Sequence, residues 1–169
     1  DYKGNRGLYV IWKNNETKYY ELDLGLIART IKEYLNCIDT KDHFRMMRNR
    51  FKDTVFGVAV YEHVLGQIID QVNSGDYDIR ALHIMYDHKV LMLDRIKYLM
   101  NNKYLPFDQS ILDDYAEVVE EVLATRNLVI RISISGEVDA QSRFETHLKV
   151  AKEKEIAILT KVLAQLEDK

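Results

Sequence analysis

The stretch Ser110–Gly136, SILDDYAEVVEEVLATRNLVIRISISG, carries the clearest structural signal in the chain. Its apolar side chains recur three or four residues apart, which is the spacing of one face of an α-helix. These side chains are Leu112, Tyr115, Val119, Val122, Val129 and Ile130. We therefore predict one long helix that ends at Gly136, because glycine favours the C-terminal cap of a helix. The last residues also alternate in the manner of a β-strand, but the closing glycine favours the helix.

One charged residue, Arg126, falls in the middle of this apolar stripe. Arginine is rarely buried unless a partner compensates its charge. The helix predicted around Phe44–Val72 places Glu62 within its own apolar stripe. We therefore predict that Glu62 and Arg126 meet inside the protein. Such a pair is either a packing ion pair or part of a functional polar site that includes Arg126.

Composition restricts the fold and the function. A chain of 169 residues suits one domain, and its single proline and seven glycines favour a few long helices over a sheet. The net charge of −3 gives no strong general attraction for nucleic acid. Cys37 is the single cysteine, so an intrachain disulfide is excluded, and we expect this side chain to be buried as a small apolar group. No apolar run is long enough to cross a membrane, and we expect a cytoplasmic protein.

The remaining periodic segments predict an all-α fold. Short connections between long helices favour an up-and-down helical bundle of four long helices and one short helix, formed by residues 23–169 as a single domain. Residues 1–22 are predicted to form a tail and an N-terminal β-hairpin. The predicted elements are the strands Leu8–Lys13 and Lys18–Leu22, the short helix Leu24–Ile38 after an Asp23 cap, and helices over Lys41–Asn73, Ile79–Asn101, Ser110–Gly136 and from Asp139 almost to the end. Glu155, near the apolar face of the last helix, is expected near an exposed end of the bundle.

Candidate metal ligands are few. His83 and Asp87 stand one helical turn apart with His88 beside them, which is a spacing that can share a metal ion. A surface pair of histidine and aspartate is the commoner reason for this spacing. The Glu-x-x-His pattern of di-iron bundles, phosphate-binding glycine loops and other cofactor motifs are not found. We therefore predict no cofactor.

A basic stretch precedes the Glu62 region. Arg45 and Arg48, followed by Arg50 and Lys52, lie close together in sequence. Such a cluster either contacts RNA phosphates or forms a solvated helix face. His43, His63 and His147 are isolated in sequence and carry no predicted role.

The segment Arg126-Asn127-Leu128-Val129-Ile130-Arg131 resembles the Arg-polar-x-x-x-His element of HEPN-domain proteins. The order of the predicted helices from about Phe51 to Ser135 is similar as well. This resemblance implies an all-α bundle that dimerises with these elements facing each other and cleaves RNA without a metal ion. Arg131 stands where the family has histidine. Arginine does not titrate near neutral pH and so cannot act as a general base, but it can bind a phosphate.

The resemblance therefore implies a homodimer that binds RNA or a protein partner, in a defence or toxin–antitoxin setting, with degenerate or no ribonuclease activity. Its predicted catalytic-type residues are Arg126, Asn127 and Arg131, and its predicted binding residues are Glu62, Arg45 and Arg48. The alternative is a structural or sensory interaction bundle in which Glu62 and Arg126 only fix the packing. Under both, the aromatic side chains of the hairpin are expected to support homo-oligomerisation. Those side chains are Tyr9, Trp12, Tyr19 and Tyr20.

Overall fold

A computed structural model of the protein describes residues 21–40, 54–136 and 141–168. These residues contain five α-helices, and the predicted all-α class is confirmed for this part of the chain. The helices are α1 (Leu24–Leu35), α2 (Val60–Ser74), α3 (Arg80–Asn101), α4 (Gln109–Ser135) and α5 (Gln141–Glu167). The predicted hairpin falls almost entirely on residues 1–20, outside the described ranges, and Glu21 and Leu22 are not in a strand.

Local sequence signals set several helix ends. The Asp23 carboxylate accepts a hydrogen bond from the Leu26 backbone N–H at 2.8 Å, so it caps α1 as predicted. Asp108 caps α4 in the same way, accepting from the Ser110 backbone N–H at 2.9 Å. At the other end of α4, Gly136 adopts the left-handed conformation with φ of 71°. The segment before Gly136 is therefore helical, and its strand-like alternation does not produce a strand.

The predicted helix over Lys41–Asn73 is wrong at its centre. Lys41–Asp53 lie outside the described residues, but Phe56 is extended, Gly57–Ala59 form a short 3₁₀ turn, and α2 begins at Val60. Gly57 has a φ of +60°, and a Cβ atom there would lie 1.9 Å from the Tyr34 carbonyl oxygen. Helix α2 begins only after Gly57, because the backbone there packs against the backbone at the end of α1.

The two longest helices organise the core. Helix α4 packs against α5 on one side and α3 on the other, while α1 and α2 pack mainly against α5. The predicted stripe of α4 is largely correct, since Tyr115, Val119, Val122 and Val129 are buried. Although α2 and α3 follow each other in the chain, they make little close backbone contact. Among the described helices, none is both long enough and apolar enough to cross a membrane.

Candidate functional site

Arg126 is half-buried, but it is not in an ion pair within the described part of the chain. Its guanidinium carbon lies 4.9 Å from the ring centroid of Tyr86, which is the geometry of a cation–π contact. One terminal N–H donates to the Asn127 side-chain oxygen at 3.3 Å. Its Nε is buried and has no hydrogen-bond partner among the described residues. The apolar stripe of α4 correctly indicated that Arg126 is partly buried. Its charge contacts the ring of Tyr86, and the carboxylate that was expected there is not its partner.

The predicted internal pair of Glu62 and Arg126 is wrong. The Glu62 side chain is 61% exposed and pairs with Lys152 of α5. The buried face of α2 consists of Tyr61, Val64 and Ile68, so Glu62 points about 130° away from its centre. The error follows from treating the segment from Phe44 onward as one continuous helix. The predicted binding residues Arg45 and Arg48 lie outside the described residues.

Two of the three predicted catalytic-type residues lie in one surface groove. Asn127 and Arg131 of α4 face Arg143 and His147 of α5 across a concave site of about 290 Å³. We call this site the α4–α5 groove. Both arginines are exposed. Arg126 does not line the groove, but it contacts Asn127, which does.

His147 enters the groove in a defined orientation. Its Nδ1 lies 2.5 Å from the Glu121 carboxylate of α4, so a carboxylate fixes one edge of the imidazole. Sequence reasoning missed this residue because it treated His147 as isolated. Helix α5 packs against α4 and brings His147 near Arg131. A prediction that these two helices are neighbours is the signal that could have identified His147. The groove thus combines two guanidinium groups, an amide and an oriented imidazole, which together can bind an anionic oxygen group.

A second polar cluster lies deep in the core around Glu155. Its carboxylate is fully buried and forms an ion pair with Lys89 Nζ at 2.8 Å. Three tyrosine hydroxyls donate to the same carboxylate: Tyr34 and Tyr61 at 2.9 Å, and Tyr115 at 2.6 Å. Lys89 also donates to the Tyr34 hydroxyl at 2.8 Å. We call these five residues the Glu155 hub. The expectation that Glu155 lies near an exposed end of the bundle is wrong.

Each residue of the Glu155 hub comes from a different helix. Tyr34 belongs to α1, Tyr61 to α2, Lys89 to α3, Tyr115 to α4 and Glu155 to α5. The signal for it was present in the sequence, because Glu155 lies one turn after the buried Ala151 and one turn before the buried Leu159.

Burial and charge shift the titration of the hub. Burial by itself raises the pKa of Glu155, but the Lys89 charge and the hydrogen bonds from Lys89 and the tyrosines outweigh it and hold this pKa below its usual range. Burial lowers the pKa of Lys89, against the attraction of Glu155. Burial and the Glu155 charge raise the pKa of Tyr34, Tyr61 and Tyr115 far above the ordinary value. The hub is therefore a buried carboxylate that accepts hydrogen bonds from four donor groups.

A cavity opens beside the hub between α2 and α3. It has a volume of about 470 Å³, and Tyr34, Tyr61 and Lys89 of the hub form part of its wall. His88 also lines it and stacks on Tyr34 with ring centroids 5.8 Å apart. Burial and the neighbouring Lys89 charge lower the pKa of His88, which favours its neutral form. We call this space the α2–α3 cavity.

Two further predictions concern ligating and reactive residues. His83, Asp87 and His88 do not form a metal site, because the described residues contain no group of three or more side chains able to hold a metal ion. Cys37 was expected to be buried, and this is wrong, since it is exposed just after α1 with a φ of 55°.

Comparison of the chain with protein-family models, with curated proteins and with solved structures finds no match. The function must therefore be argued from the α4–α5 groove, the Glu155 hub and the α2–α3 cavity themselves.

Proposed function

We propose that the protein is an RNA-binding helical bundle that contacts phosphate groups through the α4–α5 groove and does not cleave the RNA. The observation that supports this proposal is the convergence of Arg131, Arg143, Asn127 and His147 in one concave site. Asn127 and Arg131 belong to the segment that resembles the HEPN element. A defence or toxin–antitoxin setting rests on that resemblance alone.

The electrostatics of the groove favour an anion. Arg131 and Arg143 are exposed and line the same small site, and within the described residues neither is in an ion pair. Two guanidinium groups in one concavity repel each other, and a phosphate between them removes that repulsion while forming charge-assisted hydrogen bonds. The net charge of the chain is −3, so this attraction is local, and binding should weaken steeply as salt is added.

Binding without cleavage follows from the groups that are present. Metal-independent RNA cleavage needs a general base to activate the 2′-hydroxyl, and Arg131 cannot accept a proton near neutral pH. His147 is the one titratable base that lines the groove among the described residues, and it lies on α5, outside the segment that resembles the HEPN element. The Glu121 carboxylate orients its ring through Nδ1. We assign His147 to positioning and phosphate contact, and the cleavage measurement below tests this assignment.

Fluorescence anisotropy with a labelled single-stranded RNA tests this proposal over a range of salt concentrations. Each phosphate contact contributes about −0.7 to the slope of log K against log salt for a single strand. The double variant Arg131→Ala/Arg143→Ala should therefore flatten the slope by about 1.4 and weaken binding at low salt. The matched control is Arg29→Ala, which removes an exposed arginine of α1 outside the groove. No RNA binding by the unaltered protein, or equal losses in the control, would overturn the proposal.

A denaturing gel of end-labelled RNA incubated with the protein tests the second half of the proposal. The RNA should remain intact at neutral pH. Cleavage that disappears in His147→Ala, with helicity retained in circular dichroism, would show that the groove is an active site and that binding alone is the wrong description.

A structural or sensory interaction bundle is the second candidate, and the Glu155 hub favours it. One buried ion pair and three tyrosines join the five described helices at one point, and a satisfied buried network of this kind fixes one arrangement of the helices. If this candidate is right, the groove variant Arg131→Ala/Arg143→Ala keeps both the stability and the partner binding of the protein, whereas the hub variant Lys89→Met loses both. The two candidates are distinguished by comparing RNA affinity and partner binding in the same pair of variants.

A homodimer remains part of the proposal. The predicted aromatic hairpin lies outside the described residues, but α1 and α3 expose an apolar strip that includes Leu26, Leu91 and Tyr98. Exposed apolar side chains grouped in this way are typical of contact surfaces between proteins. Sedimentation velocity should show a dimer that Leu91→Glu dissociates, and a monomer at the highest soluble concentration of the unaltered protein would contradict it.

A further inference from the structure

The α2–α3 cavity is not used by the proposed RNA-binding function. Helices α2 and α3 are consecutive, yet they make little close backbone contact, and the space between them remains open beside the hub. Its volume of about 470 Å³ lies within the range of small-molecule sites. A partner helix requires a longer groove, so the size of this space favours a small molecule.

The lining of the cavity has two chemically different parts. Val60, Val64, Ile84 and Met85 supply an apolar wall from both helices. The polar part includes Lys89, His88 and His63, together with Gln67, Thr54 and the phenols of Tyr34 and Tyr61. Among the described residues that line the cavity there is no aspartate or glutamate. The described lining therefore presents one cation and two imidazoles, and no carboxylate.

The hub behind this wall is already satisfied. Glu155 is fully buried and does not line the cavity, and its carboxylate accepts from Lys89 and all three tyrosines. His88 differs, because no hydrogen bond to its ring is found within the described residues, and its position on the Tyr34 ring fixes its plane. It is thus a ring with unused hydrogen-bonding nitrogens at the polar end of an apolar space.

We propose that the α2–α3 cavity binds a small monocarboxylic acid with an apolar body, the carboxylate lying against the His88 ring and the body against Val64 and Met85. An alkyl or aryl body replaces water along the apolar wall, which is favourable in proportion to the area that it covers. All three protons of the Lys89 ammonium are donated to Tyr34 and Glu155, so His88 supplies the hydrogen bond to the ligand carboxylate. No acidic side chain of the described lining opposes the anion, and a hydrogen bond to a charged group is stronger than one to a hydroxyl, so an acid is preferred to an alcohol or an amine of the same shape.

Three probes with the same eight-carbon body and different head groups test this proposal. Isothermal titration calorimetry measures the binding of octanoate, octan-1-ol and octylammonium to the full chain at neutral pH. Octanoate should bind saturably, and octan-1-ol should bind about tenfold more weakly, because a hydrogen bond to a charged group is lost. Octylammonium should bind most weakly. In a protein labelled with ¹³C-methyl methionine, octanoate should shift the Met85 resonance.

Two pairs of variants locate the site. Ala81→Phe places a ring in the cavity and should abolish octanoate binding, whereas Ala164→Phe on the exposed face of α5 should leave it unchanged. His88→Phe retains a ring on Tyr34 and should remove the preference for octanoate over octan-1-ol, while His83→Phe should retain it. Circular dichroism confirms that each variant is folded, and the Met85 shift reports the site in the unaltered protein if a variant does not fold.

Several results would overturn the proposal. They are failure of all three probes to bind, equal affinity for the three head groups, tightest binding of octylammonium, and octanoate binding that neither shifts Met85 nor changes in Ala81→Phe. The RNA measurements are independent of these results, so the cavity and the groove succeed or fail separately.

Discussion

At the scale of single residues, the buried ion pair of Lys89 and Glu155 dominates the energetics. Both side chains are almost completely buried, and their charges compensate each other in a region of low polarity. Removing one partner leaves the other charged and unpaired, which costs far more than the pair itself contributes. Lys89→Met is therefore expected to lower the free energy of unfolding by about 3–5 kcal/mol in urea denaturation followed by circular dichroism.

The exposed pair of Lys152 and Glu62 provides the control. Like Lys89, Lys152 pairs with a glutamate of another helix, but this pair lies at the surface, where water screens the charges. Lys152→Met removes its cation. Its effect should stay below about 1 kcal/mol. If Lys89→Met and Lys152→Met destabilise the protein equally, Glu155 is not held as a buried carboxylate, and the description of the hub is wrong.

The buried ion pair of the core was not predicted from the sequence. The predicted pair of Glu62 and Arg126 is wrong, and the buried carboxylate and its cation are Glu155 and Lys89. A helical stripe gives the angular position of a residue only when the helix is continuous and its start is known. Arg126 was placed correctly within its helix, but no local pattern could indicate that the Tyr86 ring would cover it.

At the scale of elements, local rules predicted the helices with good caps and failed where a distant contact intervened. The ends at Asp23, Asp108 and Gly136 depend on hydrogen bonds within a few residues, so the sequence contains the information. The extended backbone at Phe56 and the 3₁₀ turn before α2 depend on the contact between Gly57 and the end of α1, which lies more than 20 residues earlier in the chain. A periodic apolar pattern continues through this segment, so the pattern alone predicts an unbroken helix.

Two glycines of this region make a matched pair at the scale of elements. Gly57→Ala adds a Cβ atom 1.9 Å from the Tyr34 carbonyl oxygen in a left-handed conformation, so we expect a loss of more than about 2 kcal/mol. Gly66→Ala lies inside α2 with nothing within 4 Å of the added atom, and it should stabilise the protein by about 0.5–1 kcal/mol. Urea denaturation measures both. The same sign for the two substitutions would contradict the proposed cause of the helix break.

At the scale of the whole molecule, the Glu155 hub makes the packing of the five described helices depend on the protonation of its three tyrosines. The tyrosines of the hub come from α1, α2 and α4, and burial followed by the Glu155 charge raises the pKa of all three. A group whose pKa is raised on folding stabilises the protein below its ordinary pKa, and this contribution is lost as the pH rises above it. Lys89, whose pKa is lowered by burial, acts in the opposite sense, but only up to its ordinary value of about 10.4.

The protein should therefore unfold cooperatively in alkali. Above about pH 10, unfolding releases three tyrosine protons, so the free energy of unfolding should fall by about 4 kcal/mol per pH unit from the hub alone. Urea denaturation at several pH values measures this slope, and absorbance of tyrosinate should show that three of the eleven tyrosines ionise only as the helices are lost. Tyr115→Phe should reduce the slope by about one third, while Tyr98→Phe, at an exposed position, should leave it unchanged. Ionisation of all eleven tyrosines with helicity intact would mean that the hub is open to solvent and does not hold the five helices together.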